Sequence, residues 1–503
     1  MRLMNARTGQ LETFLANIPP YAILSHTWGD HEVTFADLHG AQHPASDKIA
    51  NTCRLALEQN LCYVWIDTCC IDKSSSAELT ESINSMFKWY QQSVVCYAYL
   101  EDFESNDTFF AECRWFTRGW TLQELLAPTT VEFYDKSWNF RGIKQELVDP
   151  ISAITHIPKE VLQGRWSLES CSVASRMSWA AGRETTRPED IAYSLLGLFN
   201  VHMPPIYGEG KNAFRRLQEE IIKRSNDLTI LAWRSPQSDG LPALDALGLL
   251  AECPDWFQYS KAIQPFSDDF SIRFAITNKG LHISRDAPHR LISVADGEGR
   301  DEDLMYALYL GRDSNTNEEG GIFLQKIGPH LFRRSFQRPM AGFDREEKQL
   351  AMWHVPDYHI LIDPSPPSID MKHMEMAQYF RRGGLHVPNS DDFNIMDAVP
   401  APLWDHRDLV RILSQDPPPA YAVALFSSRK RNVAVPWEEL EAESPDVLNS
   451  ANQVEVQMGK STLTISAEIV DDTSTRELEL LKLIIYAEEN QPLSSSADVV
   501  LDD

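Results

Sequence analysis

The sequence predicts an α/β protein: a doubly wound, flavodoxin-like parallel sheet with a helical extension, followed by a β-rich C-terminal half. Three observations predict it. Short, wholly apolar strand signals alternate with amphipathic helix signals over the first 135 residues. Residues 145–225 then carry helical spacing throughout. From about residue 240 the period changes to short alternating runs separated by turn residues.

The strands come first in the argument. "YAIL" (21–24), "CYVWI" (62–66), "VVCYAYL" (94–100) and "TVEFY" (130–134) are too apolar to have one face in water. Strands of this kind belong in a parallel sheet covered on both faces. The helices between them are "DKIANTCRLALEQNL", "ELTESINSMFKWYQQ" and the short "TLQELLA". In the second, Leu79, Ile83, Met86, Phe87 and Tyr90 form one stripe. Right-handed crossovers then wind the sheet in both directions. Ligands of such sheets bind beyond the carboxyl ends of the strands, an edge that gathers Ser25, His26, Asp67, Asp102 and Asp135.

The helical extension is carried by "PEDIAYSLLGLF", with Pro188, Glu189 and Asp190 at its start, and by "KNAFRRLQEEIIKRS". The β-rich half is read from "FSIRFAIT", "GLHIS", "LMYALYLG", "GIFLQKI" and "TLTISAEI". "DPSPPS" and "DPPPA" are expected as loops and "NQPLSSSADVVLDD" as a disordered tail. The resulting division is 1–150, 151–235, 236–485 and a tail from 486 to 503.

With 43% hydrophobic residues the chain can bury sizeable cores. The net charge of -27 opposes broad nucleic-acid binding, and most of the excess acid lies beyond residue 235. The eight cysteines form no CxxC pair, which points to a reducing compartment. The N-terminal segment lacks the apolar core of a signal peptide, and no run approaches the ~18 apolar residues of a membrane span. A soluble, cytoplasmic protein is expected.

The chemistry-bearing motifs each admit two readings. Thr121-Leu122-Gln123-Glu124 fits a capping box, with Trp120 and Leu125 as its hydrophobic staple, and a carboxylate there gains from the helix dipole. A capping Glu at a pocket edge can also face a ligand. "SHTWGD" is either a tight, ligand-approaching turn or a loop around a buried Trp28. Cys69 and Cys70 are expected as a reduced, partly buried pair. "YGEGKNAF" lacks the phosphate-loop spacing and is expected as a loop before a helix. "GDHE" and "HPASDKIAN" hold His near acids without metal-ligand spacing, so no metal site is expected.

Taken together, "YAILSHTWGD", "YVWIDTCCIDK", "SINSMFKWYQQSVVCYAYLED", "RWFTRGWTLQELLAP" and "VEFYDKSW" resemble the HET (heterokaryon incompatibility) domain family of filamentous fungi. "SWAAGRETTRPEDIAYSLLGLFNVHMPPIYGEGKNAFRRLQEEI" resembles the segment that often follows. The resemblance covers about residues 1–235. "AECPDWF" and "FAITNKGLHIS" resemble, less specifically, the tail of many such proteins. The family is implicated in non-self recognition and in the cell death that follows incompatible fusion, and its fold is thought to be related to TIR domains.

That relation implies a site. In catalytic TIR domains a Glu four residues after a Trp serves in cleaving NAD, and Trp120 and Glu124 keep this spacing. Ser25, His26, Trp28 and Gly29 then line a nucleotide pocket, with Asp67 and Asp102 at neighbouring strand ends. NAD is expected as a substrate, with no resident cofactor. The second reading is a non-enzymatic signalling module that works by self-association. No Walker A motif, tandem repeat or coiled-coil heptad is found, so the protein that triggers this one is expected to be separate or to act on the β-rich half.

Overall fold

The computed structural model describes residues 1–29, 32–38, 46–104, 110–235, 248–266, 273–284, 291–293, 305–328, 331–335, 341–343 and 358–363, and the backbone of strands between 383 and 488. The chain divides into two compact units. The first comprises Met1–Ala295, Tyr306–Leu324 and Arg334–Met352.

The first unit opens with a hairpin, β1 (Arg2–Asn5) and β2 (Leu11–Thr13). Then follow β3 (Tyr21–His26), the short α1 (Phe35–Leu38), α2 (Asp47–Glu58), β4 (Tyr63–Trp65), the short α3 (Asp67–Cys70), α4 (Ser76–Gln92) and β5 (Val95–Tyr99). α5 (Thr121–Leu126) leads into β6 (Val131–Tyr134) and β7 (Phe140–Ile143). The sheet order is β2-β1-β4-β3-β5-β6-β7. β3 pairs in parallel with β4 on one side and β5 on the other, and β5 pairs in parallel with β6. This is the doubly wound arrangement, with its crossover reversal between β3 and β5.

The four parallel strands are those the apolar runs predict. Every residue of β3 and β5 is buried, as strands covered on both faces require. The sheet is mixed rather than wholly parallel, because β1, β2 and β7 pair antiparallel at its edges. The edge strands β2 and β7 are short and half-exposed, so they lack the continuous apolar run that marks the centre.

α4 starts where Ser75 accepts a hydrogen bond from the Glu78 amide. Its apolar stripe places Ile83, Met86 and Tyr90 in the core, with Trp89 beside them. Trp65 packs on both Trp89 and Tyr90, at ring distances of 5.6 and 5.8 Å. Each such side chain contributes ~1.5–3 kcal/mol on burial.

The extension supplies α6 (Val148–Thr155), α7 (Lys159–Leu162), α8 (Val173–Ser178), α9 (Asp190–Tyr193) and α10 (Asn212–Ile222). The unit continues past residue 235: the buried Arg334 donates to the carbonyls of Leu231 and Trp233 and stacks 3.6 Å over the Trp233 ring. Phe274–Thr277 and Gly280–Ile283 form an antiparallel hairpin.

The second unit contains an antiparallel run of Gln453–Met458, Ser461–Asp471 and Glu479–Glu488. Gly383–His386 joins the last of these in parallel. A three-stranded antiparallel sheet is formed by Phe393–Val399, Ala422–Ser427 and Arg431–Pro436. The half is β-rich, as its turn-separated alternating runs predict. Its last strand runs past residue 485, into the stretch read as a tail, and residues 489–503 lie outside the described residues, as do the proline runs 364–368 and 416–420. Among the described residues no helix is long and apolar enough to cross a membrane.

Candidate functional site

The carboxyl ends of β3 and β4, together with the turn that carries α5, converge on Glu124. The helix is six residues long and starts one turn after a 3-10 segment, Arg114–Thr117, that buries Trp115 and Phe116. The capping-box expectation fails here. Trp120 occupies the cap position with helical backbone angles and no side-chain cap bond. The Thr121 hydroxyl instead lies 2.6 Å from the Trp115 carbonyl and 2.9 Å from that of Arg118. The chain enters α5 from a tight turn, so the extended backbone that a Thr cap needs is absent. The Glu124 carboxylate is free to point elsewhere.

It points across the sheet. Ser25 donates its hydroxyl to Glu124, and the Trp115 indole N–H donates to the Ser25 oxygen at 2.8 Å. The Tyr90 hydroxyl lies beside the same carboxylate and donates to the Leu24 carbonyl at 3.0 Å. Glu124 is only 7% exposed. Burial pushes its carboxyl up to about 8; the bond from Ser25 opposes this, the charge of Asp67 adds to it, and Tyr90 and Arg118 oppose it. A buried carboxylate so raised makes Glu124 a candidate site residue.

A second layer of charge surrounds the first. His26, nearly buried, has Nδ1 3.9 Å from Asp67 and Nε2 3.6 Å from Glu32. Asp67, the first residue of α3, accepts the Trp28 indole N–H at 2.9 Å. Trp28 is 43% exposed rather than buried, and Lys73 sits 3.4 Å over its ring. Gly29 donates its amide to Glu32, and a side chain there would meet Glu32, Glu101 and Lys48. Lys48 pairs with Glu32 at 2.6 Å and with Glu101 at 3.5 Å. Burial would raise Glu32, but His26, the Gly29 amide and Lys48 together hold it at about 2. Trp120 meets Asp190 of α9, which also accepts the Tyr207 hydroxyl at 3.0 Å.

The structure therefore brings together Ser25, His26, Trp28, Gly29, Asp67 and Glu124, with Trp120 turned toward α9. Asp102 and Asp135 stand apart. Asp102 accepts the Arg114 amide at 2.8 Å and caps the 3-10 segment. Asp135 is tied to Arg141 and Asn139 in the turn between β6 and β7. The acid beside Asp102, Glu101, instead reaches Thr27 at 3.4 Å and Lys48 at 3.5 Å. Sequence reasoning missed Glu32, Lys48, Glu101, Tyr90 and Trp115. The signal for two of them was present: Glu32 of "GDHE" and Lys48 of "HPASDKIAN" meet as an ion pair rather than as metal ligands.

Among the described residues no cluster could hold a metal ion. Cys69 and Cys70 are free and buried. The "YGEG" stretch is a loop before α10, and its Gly208 and Gly210 amides are occupied by Glu189 at 2.8 and 3.0 Å.

Comparison with known proteins adds two family matches and one relative. Residues 21–112 match the family described as Heterokaryon incompatibility protein (HET), and residues 212–276 match a domain of unknown function (DUF8212). The chain is 46% identical over 238 residues to the vegetative incompatibility protein HET-E-1 of Podospora anserina. That stretch is 44% of this chain and 18% of the relative, so the chain spans only a minor part of the relative's length. No solved structure gives a significant match.

Proposed function

We propose that this chain, a HET-domain protein by the match over residues 21–112 and its 46% identical relative, acts in vegetative (heterokaryon) incompatibility as an effector of cell death. We infer further that its HET region hydrolyses NAD at the nicotinamide–ribose bond. The observation that carries this reading is the Glu124 carboxylate, buried at the carboxyl edge of the sheet and bonded to Ser25 rather than to its own helix.

The chemistry follows from the charge that develops. Cleavage of the bond between C1′ of the ribose and the pyridinium nitrogen returns the electron pair to nicotinamide, which leaves neutral and needs no acid. The ribose becomes oxocarbenium-like, and an anionic Glu124 beside it stabilises that cation. Water then adds at C1′ and loses its proton, so NAD and water give ADP-ribose, nicotinamide and one proton. Ser25, backed by Trp115, fixes the carboxylate, and a fixed carboxylate costs little reorganisation as the charge appears.

The test is nicotinamide release from NAD by the purified full chain over a range of protein concentrations, with Glu124→Gln beside it. Turnover that is lost in the folded variant supports the reading. No release at any concentration, with concentration-dependent assembly in sedimentation, would overturn it in favour of a non-enzymatic module acting by self-association.

A further inference from the structure

Arg183 is a buried cation that the chemistry so far leaves unused. It is 8% exposed and lies after α8, outside the residues matched by the HET family. Its Nη1 donates to the Arg118 carbonyl at 2.8 Å and to the Thr121 hydroxyl oxygen at 3.0 Å, and its Nε to the Trp179 carbonyl at 3.1 Å. These acceptors are all neutral. The acid whose field reaches it is Glu124. A guanidinium does not escape such a site by losing its proton, so its charge remains and must act on its surroundings.

The surroundings are the turn that presents Glu124. The backbone of this turn is stitched to the same segment: the Gly119 amide donates to the Glu184 carbonyl at 2.9 Å, and the Glu184 amide to the Thr117 carbonyl at 2.6 Å. A Cβ on Gly119 would lie 2.5 Å from the Thr185 methyl, so the two strands of chain touch without a gap. From Arg183 the bonds run to Thr121, from Thr121 to the Trp115 carbonyl, from the Trp115 indole to Ser25, and from Ser25 to Glu124.

We propose that Arg183 is a positioning residue for Glu124: it clamps the 115–121 turn that presents the carboxylate, and its buried positive charge favours the ionised form over what burial alone would allow. This rests on Glu124 as the reacting carboxylate. The other groups facing Glu124 are Ser25 of β3, Asp67 of α3, Tyr90 of α4, Cys96 of β5 and Arg118 of the turn. Asp67 opposes ionisation, Ser25 and Tyr90 favour it through their hydroxyls, and Arg118 favours it from a half-exposed position. Arg183 is the buried member with the opposing sign.

The experiment uses the full chain and reads the Glu124 carboxyl directly, by carbon-13 NMR of labelled glutamate with Glu124→Gln as the assignment control. In Arg183→Met the Glu124 titration should move up by about one pH unit, since removing a nearby opposite charge favours the protonated form. Nicotinamide release at neutral pH should fall about tenfold, in kcat rather than KM, and recover as pH rises. Arg183→Lys, which keeps charge but loses the fork, should leave the titration near its wild-type position and lower kcat less than the Met variant. A folded Arg183→Met with the titration and pH profile of wild type overturns the proposal. If the Met variant does not fold, Arg183→Lys with wild-type kcat overturns the clamp. The titration needs no substrate, so absence of NAD turnover in wild type would count against the NAD reading alone.

Discussion

Two glutamates sit at helix starts in this protein and have opposite fates. Glu189 stands at the cap position of α9, and its carboxylate accepts the amides of Gly208 and Gly210, at 2.8 and 3.0 Å. These amides, together with its own, hold it below the usual carboxylate range. Glu124, in the first turn of α5, accepts a hydroxyl from Ser25 and is raised to about 8 by burial. Backbone amides are fixed dipoles that stabilise an anion and end its reactivity. Burial with hydroxyl partners leaves an anion that is unsatisfied until a cation arrives. The first arrangement builds structure, and the second is suited to meeting a developing positive charge.

The largest effect that separates the two is on turnover. Glu124→Gln should lower nicotinamide release by more than a hundredfold, a loss of ~3 kcal/mol of transition-state stabilisation, with the protein folded. Glu189→Gln should leave turnover within a few-fold of wild type. Equal losses from both, measured per folded molecule, would erase the distinction.

The next effect is on pH dependence. With a carboxyl at about 8, roughly one Glu124 in ten is ionised at neutral pH, so kcat/KM should rise roughly tenfold between pH 7 and 9. A profile flat across that range would remove the raised carboxylate from the reaction. Stability should move in opposite directions for the two residues. Glu124 is raised from 4.5, so its contribution is full below pH 4.5 and is lost as pH rises through about 8. Glu189 is lowered, so its contribution is present above the ordinary carboxylate range and is lost in acid. Melting curves of Glu124→Gln should therefore gain on wild type toward alkaline pH, and those of Glu189→Gln should approach wild type only in acid.

A smaller effect tests the glycine loop itself. Gly208 has φ of +102° and no atom near where a Cβ would stand, so Gly208→Ala carries a backbone cost without a clash. It should destabilise by ~1–2 kcal/mol, read by denaturant unfolding, with turnover per folded molecule unchanged. A loss of turnover there would extend the reactive site into the loop.

Some of this was legible in the residues. The apolar runs at 21–24, 62–66, 94–100 and 130–134 identify the central parallel strands, because burial on both faces leaves no other composition. The Ile83, Met86 and Tyr90 stripe identifies α4 by its period. The strand ends bring His26 and Asp67 to one edge, because parallel strands end together. The edge strands were not legible, since a half-exposed hairpin has no such run.

The environment of Glu124 belongs to the tertiary structure. Thr-Leu-Gln-Glu reads locally as a capping box, yet Thr121 bonds the Trp115 and Arg118 carbonyls and receives Arg183, so the box does not form. Ser25 stands 99 residues away in sequence, and no local pattern announces it. Likewise Asp102 and Glu101 are adjacent in sequence, but the turn after β5 sends one to the Arg114 amide and the other to Lys48. The sequence by itself determined the central parallel strands and the longer helices between them, because those follow from periodicity along the chain. Both carboxylates are buried, and which of them meets hydroxyls and which is wrapped in amides was decided only by the fold, because the partners of a group depend on what surrounds it and not on its neighbours in sequence.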